Sequence, residues 1–73
     1  MEIRFSRHAR RRAKLYGIPE AVVENLVTTQ ELGQGKCEIV EKVTGFQYPI
    51  KVVVVIDGDI VTVVTNYPLK KGL

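Results

Sequence analysis

Two alternating aliphatic runs, Tyr48 to Ile56 and Ile60 to Asn66, flank Asp57-Gly58-Asp59, and this pairing constrains the fold more than any other feature of the chain. Asp-Gly favours a two-residue hairpin turn because it tolerates positive φ. The loop is either Asp57-Gly58 or Gly58-Asp59. In both cases one side of the ribbon receives Tyr48, Ile50, Val52, Val54 and Ile56 from one strand and Val61, Val63, Thr65 and Tyr67 from the other, because side chains alternate with period two. The preceding run, Lys36 to Val43, joins through Thr44-Gly45-Phe46-Gln47. Closure between Val43 and Tyr48 adds Cys37, Ile39, Glu41 and Val43 to the same side. Three strands agreeing on one buried side across two hairpins define an antiparallel meander.

Upstream the period changes. Met1 to Phe5 alternates as a short strand, with Ile3 and Phe5 on one side, and its length suits a sheet edge. Ser6 is a good helix N-cap, and Gly17 is the residue type that ends a helix in the left-handed region. These bound a first helix from Arg7 to Tyr16. Pro19 then costs nothing in the first turn of a second helix that runs to about Gln30, where Val22, Val23, Leu26, Val27 and Gln30 form the sheet-facing side. Glu31 to Gly35 reads as a loop. The expected architecture is one α+β domain over residues 1–73: a short N-terminal strand, two helices, then a three-stranded meander, with both helices packed on one sheet face.

On the first helix Phe5, Ala9, Arg12, Ala13 and Tyr16 share one side, while Arg7, Arg10, Arg11 and Lys14 share the other. His8 and Leu15 lie on the flank. Arg12 therefore points into an apolar stripe and needs a partner. Glu41, placed on the buried strand side beside Ile50, is the anion expected to pair with it. The alternative is a β-bulge near Val40 that turns Glu41 outward.

Charge is unevenly distributed. The chain of 73 residues has a net charge of +3, yet Met1 to Gly17 holds six cations against one anion, and the remainder holds five against seven. A local positive field of this kind is the footprint of an acidic partner such as RNA, DNA or an acidic protein, although an arginine-rich helix side can also be plain solvated surface. Arg7, Arg10, Arg11 and Lys14 are the candidate phosphate-binding residues. A single cysteine, Cys37, excludes an intramolecular disulfide and a cysteine-based metal site within one chain. There is no phosphate-binding glycine loop, zinc spacing or Ser/His/Asp set, so neither metal nor cofactor is expected. The apolar runs are too short to span a bilayer, and a cytoplasmic protein without a membrane partner is expected. The outer sheet side, with Val40, Val53, Val55, Ile60, Thr62 and Val64, is too apolar for simple exposure and marks a protein partner or homodimer interface, unless strand propensity alone placed the valines there.

The element order resembles the RelE/ParE-like fold of small ribonuclease toxins. Within that fold, Phe5, Ser6, His8, Ala9, Arg12, Ile18 and Val23, followed by Thr65, Asn66, Tyr67 and Pro68, are similar to the motifs of the BrnT-like group. The likeness spans nearly the whole chain and is strongest at Ser6-x-His8-Ala9-x-x-Arg12. It departs at Tyr16, where the group commonly has a second arginine. The resemblance implies a toxin-type domain that acts on RNA, in some members at the ribosome, and an antitoxin-like protein partner. Fold alone does not confer activity, and the fold includes non-catalytic members.

Metal-independent RNA cleavage needs a base for the 2′-hydroxyl, an acid for the leaving oxygen and cations for the developing phosphorane charge. His8 is the one side chain of a type that titrates near neutrality, Arg12 lies one turn from it, and Tyr67 offers a hydroxyl or a stacking surface. These three are the candidate endoribonuclease residues. The competing reading is a non-catalytic interaction module that dimerises through its sheet and uses the same arginines for electrostatic binding.

Overall fold

The computed structural model describes residues 1–70. Its elements run β1 (Glu2–Phe5), α1 (Arg7–Tyr16), α2 (Glu20–Thr28), β2 (Gly35–Glu41), β3 (Ile50–Asp57) and β4 (Ile60–Pro68). The meander forms a four-stranded mixed sheet of order β1-β4-β3-β2, because β1 joins it at the edge, parallel to β4. The sheet is therefore larger by one strand than the three-stranded meander expected from the C-terminal runs. Both helices cover one side of it, and one core joins Ala9, Ala13, Ile18, Val23, Leu26 and Val27 to Ile39, Ile50, Val52, Val54, Ile56, Val61 and Val63.

The β2–β3 register is the expected one, with Cys37 opposite Val54 and Glu41 opposite Ile50. Pairing stops at Glu41 and Ile50 instead of continuing to Val43 and Tyr48. At the second hairpin Asp57 faces Ile60, so the loop is Gly58-Asp59. Gly58 sits at φ 61°, where a side chain would be strained. The Gln34 amide holds this turn from both directions: its Oε1 accepts from the Gly58 N–H at 2.8 Å and its Nε2 donates to the Gly58 carbonyl at 3.3 Å.

A bulge in β4 overturns part of the expected face assignment. Val54 pairs with Val63, but Val53 pairs with Thr65, which leaves Val64 as an extra residue. An extra residue reverses the alternation beyond it. Thr65 and Tyr67 thus turn away from the helices, and Asn66, fully buried, turns toward them. Asn66 Nδ2 donates to the Ala9 carbonyl at 3.2 Å. Its Oδ1 has no hydrogen-bond partner among the described residues.

The bulge is also where α1 docks. Ser6 caps the helix by accepting from the Ala9 N–H at 3.0 Å, and its hydroxyl donates to the Val64 carbonyl at 3.0 Å. The Ser6 N–H donates to the Val63 carbonyl. Ala9 and Ala13, both buried, are small enough to let the helix backbone approach β4. Gly17 ends α1 at φ 66°. Pro19 lies one position earlier than expected, as the N-cap of α2, where its carbonyl accepts from the Val22 N–H at 3.0 Å. The second helix stops at Thr28, short of Gln30.

The expected Arg12–Glu41 pair does not form. Arg12 is exposed, and its guanidinium donates to the Tyr16 hydroxyl at 3.4 Å. Glu41, at the exposed end of the edge strand β2, accepts from Gln30 Nε2 at 3.2 Å. Arginine's long stem lets the charged head leave an apolar stripe that its Cα borders, so no buried ion pair is needed.

Two stability effects follow. Ser6→Ala removes the cap and the tie to Val64 and should cost about 1–2 kcal/mol, and Asn66→Ala should cost about the same through its lost bond and the vacated volume. Both are read as lower urea midpoints at unchanged slope. Glu41→Gln, by contrast, should stay within about 0.5 kcal/mol of wild type, as befits an exposed position with no buried partner. The same urea titration measures it.

Candidate nucleic-acid interface

The α1 sequence forms a helix because Ser6 caps it and Ala9 and Ala13 dock it, not because its charges favour one. No acidic residue stands in its first turn, where the helix dipole prefers anions, and Arg7 occupies that turn instead. Arg7 lies three and four positions before Arg10 and Arg11, and Lys14 lies four and three positions after them. Like charges at these spacings repel across one helix surface. Only Arg10 has an ion-pair partner on another element among the described residues of α1, Glu20 at 3.6 Å, and both groups are exposed. Exposure screens such a pair, so it offsets little of the repulsion.

Arg7, Arg10, Arg11 and Lys14 are all exposed, and together with Phe5 they line one open depression. Phe5 was expected wholly on the core side. It is half-buried, packing on the core while bordering this surface. The position explains it: Phe5 ends β1 directly before the Ser6 cap, so its ring lies at the boundary between the core and the α1 surface.

On the neighbouring side of α1, His8, Arg11, Arg12 and Leu15 line a second open depression. Arg11 borders both. His8 and Arg12 are thus brought together, as their spacing on the helix required. The third candidate, Tyr67, is not. Beyond the bulge it faces away from the helices, opposite Lys51, so the expected set of His8, Arg12 and Tyr67 does not assemble. Lys51 pairs with Glu38 at 3.3 Å. Hydrogen bonding to Glu38, then its charge, raises the Lys51 pKa above its ordinary value, and the neighbouring Tyr67 adds to this. The hydroxyl that accompanies Arg12 instead belongs to Tyr16, which shares its side of α1 one turn away.

The remaining expected residues are structural or lie apart. Cys37 is half-buried on the inner side of β2, with its thiol toward the Gly33 carbonyl at 3.6 Å. Of the two C-terminal lysines, Lys70 is exposed and Lys71 lies outside the described residues. Among the described residues no three His, Cys, Asp or Glu side chains gather as a metal site. No helix there is long and apolar enough to cross a membrane. A shallow groove between α2 and the β2–β3 loop is bordered by Val22, Leu26 and Val43.

The arrangement can hold polyanions: cations on a rigid helix, a half-buried aromatic ring among them, and no carboxylate in either depression. Comparison with known proteins adds no identity, since no family model, curated protein or solved structure matches the chain.

Proposed function

We propose that this chain is a RelE-like, toxin-type domain that binds single-stranded RNA through the exposed side of α1. The observation that carries the reading is the depression in which Phe5 lies among Arg7, Arg10, Arg11 and Lys14. Four cations track a phosphate backbone, and the half-buried aromatic ring bordering them takes an unstacked base, which a duplex does not offer. The helix tolerates its unfavourable first-turn charge and its like-charge neighbours because the Ser6 cap and the alanine contacts hold it. Local costs of this sort, retained against the fold's own preference, belong to a surface selected for a ligand. An acidic protein partner covering the same arginines would compete with RNA, which is the regulation a toxin-type domain requires.

A second reading, metal-independent cleavage, is supported by a different observation: His8 shares its depression with Arg11 and Arg12, one proton-transfer group beside two phosphate ligands. Tyr67 has no part in it.

Fluorescence anisotropy with a labelled single strand and its duplex tests the binding reading. The single strand should bind more tightly. Arg7→Gln, Arg10→Gln and Arg11→Gln should weaken it stepwise, and each phosphate contact removed should flatten the log–log salt dependence by about 0.7. Phe5→Leu, which keeps the core filled, should lower single-strand affinity by about 1–3 kcal/mol while changing duplex affinity little. A triple arginine variant that is folded and binds like wild type overturns the proposal. Incubation with a mixed RNA pool, with and without ribosomes, separates the second reading: cleavage abolished in folded His8→Ala and Arg12→Ala supports it, and no cleavage leaves binding alone.

A further inference from the structure

Among the described residues, the side of the sheet turned away from the helices has no covering element. Val40, Val55 and Val64 are exposed on it at 47%, 40% and 37%, around Val53, which is only 8% exposed. Ile60, Thr62, Thr65 and Tyr67 surround this centre. The charged strand residues on that side are Glu2, Arg4, Lys36, Glu38, Lys51 and Asp57, three anions and three cations. Two pairs among them already neutralise each other, Arg4 with Glu2 and Lys51 with Glu38.

We infer that this sheet side is the contact of a homodimer, two copies packing back to back about a two-fold axis. Charge selects a second copy as the occupant. An isologous contact presents the same surface twice, so a strongly charged surface cannot make one without repulsion. The sheet side carries no net charge, whereas the α1 side carries a dense positive one. An acidic or basic partner would find nothing on this surface to complement, but an identical neutral surface meets it without cost. Packing here also sets the two α1 helices on opposite outer sides of the pair, which keeps their cations as far apart as the molecule allows.

Such a contact uses the whole sheet side. Strands of four, seven, eight and nine residues, about 4.8 Å apart and rising about 3.3 Å per residue, span roughly 440 Å² in flat projection, and the relief of the side chains enlarges it. Specific dimers begin at about 600 Å² per partner. Two such sheets stack about 10 Å apart with their strands some 30° off parallel, a geometry in which β-branched side chains interdigitate. The dimer then carries two RNA-binding surfaces facing outward. A long single strand that reaches both binds with avidity, and a short one binds each independently.

Sedimentation equilibrium of nucleic-acid-free protein tests this. Wild type should sediment at twice the chain mass at micromolar concentration. Val55→Lys and Val40→Lys, both at positions already exposed and so compatible with folding, should each shift it toward the single-chain mass while the far-ultraviolet spectrum and a cooperative urea transition are retained. A wild type that stays at the single-chain mass to millimolar concentration overturns the inference. So does a dimer that survives the Val40→Lys/Val55→Lys double variant, because the contact would then lie at a sheet edge or on the helices. Anisotropy with a strand too short to bridge two sites reads RNA affinity separately, and the lysine variants should leave it unchanged.

Discussion

The docking of α1 onto the bulged segment of β4 is the contact on which the rest depends. Ser6 serves twice there: its oxygen accepts from the Ala9 N–H to start the helix, and its hydrogen goes to the Val64 carbonyl. Asn66 closes the same contact from the other strand side, reaching the Ala9 carbonyl. A bulge leaves its extra residue out of the ladder. Here the freed Val64 carbonyl is satisfied by the helix cap, so the irregularity in the sheet and the start of the helix solve each other's hydrogen-bonding problem. In a domain of this size, where a single core must serve, that coupling matters.

Seen this way, the two short motifs behind the family resemblance are parts of one structural contact. Ala9 from the first motif accepts from Asn66 of the second, 57 positions further along the chain, and Ser6 beside it reaches Val64, which directly precedes the second motif. Packing accounts for these residues fully. It does not account for His8 or Arg12, which are exposed and take no part in the contact. The division separates residues that seat α1 on the sheet from those that α1 leaves exposed.

The same division runs through the electrostatics. The buried positions of α1 are alanines small enough for close approach, and most of its exposed positions are cations whose mutual repulsion and first-turn placement the helix must withstand. On the opposite surface the charges balance and the apolar residues are concentrated at the centre. The two sides of the domain therefore differ in kind, a dense positive charge on the helix and a neutral, apolar-centred surface on the sheet.

Much of this was legible in the chain itself. Cap residues placed α1 within its correct bounds, since Ser6 and Gly17 act through their own backbone neighbourhoods. The β2–β3 register followed from period-two alternation, and the positive side of α1 from helical spacing. These are local interactions, complete within a few residues or one hairpin. The parallel seat of β1, the bulge at Val64, the inward turn of Asn66 and the outward turn of Tyr67 were not legible. Each depends on groups more than 50 positions apart in the chain: Ser6 reaching Val64, Ala9 reaching Asn66, Ile3 lying beside Val61. Alternation predicts a face only while the ladder is unbroken, and what broke it was a helix cap arriving from the other end of the molecule. Arg12 failed as a buried pair for a related reason. The sequence determined which side of the helix its Cα would border, but the exit of its side chain to the Tyr16 hydroxyl was decided by the space left once the helix had docked.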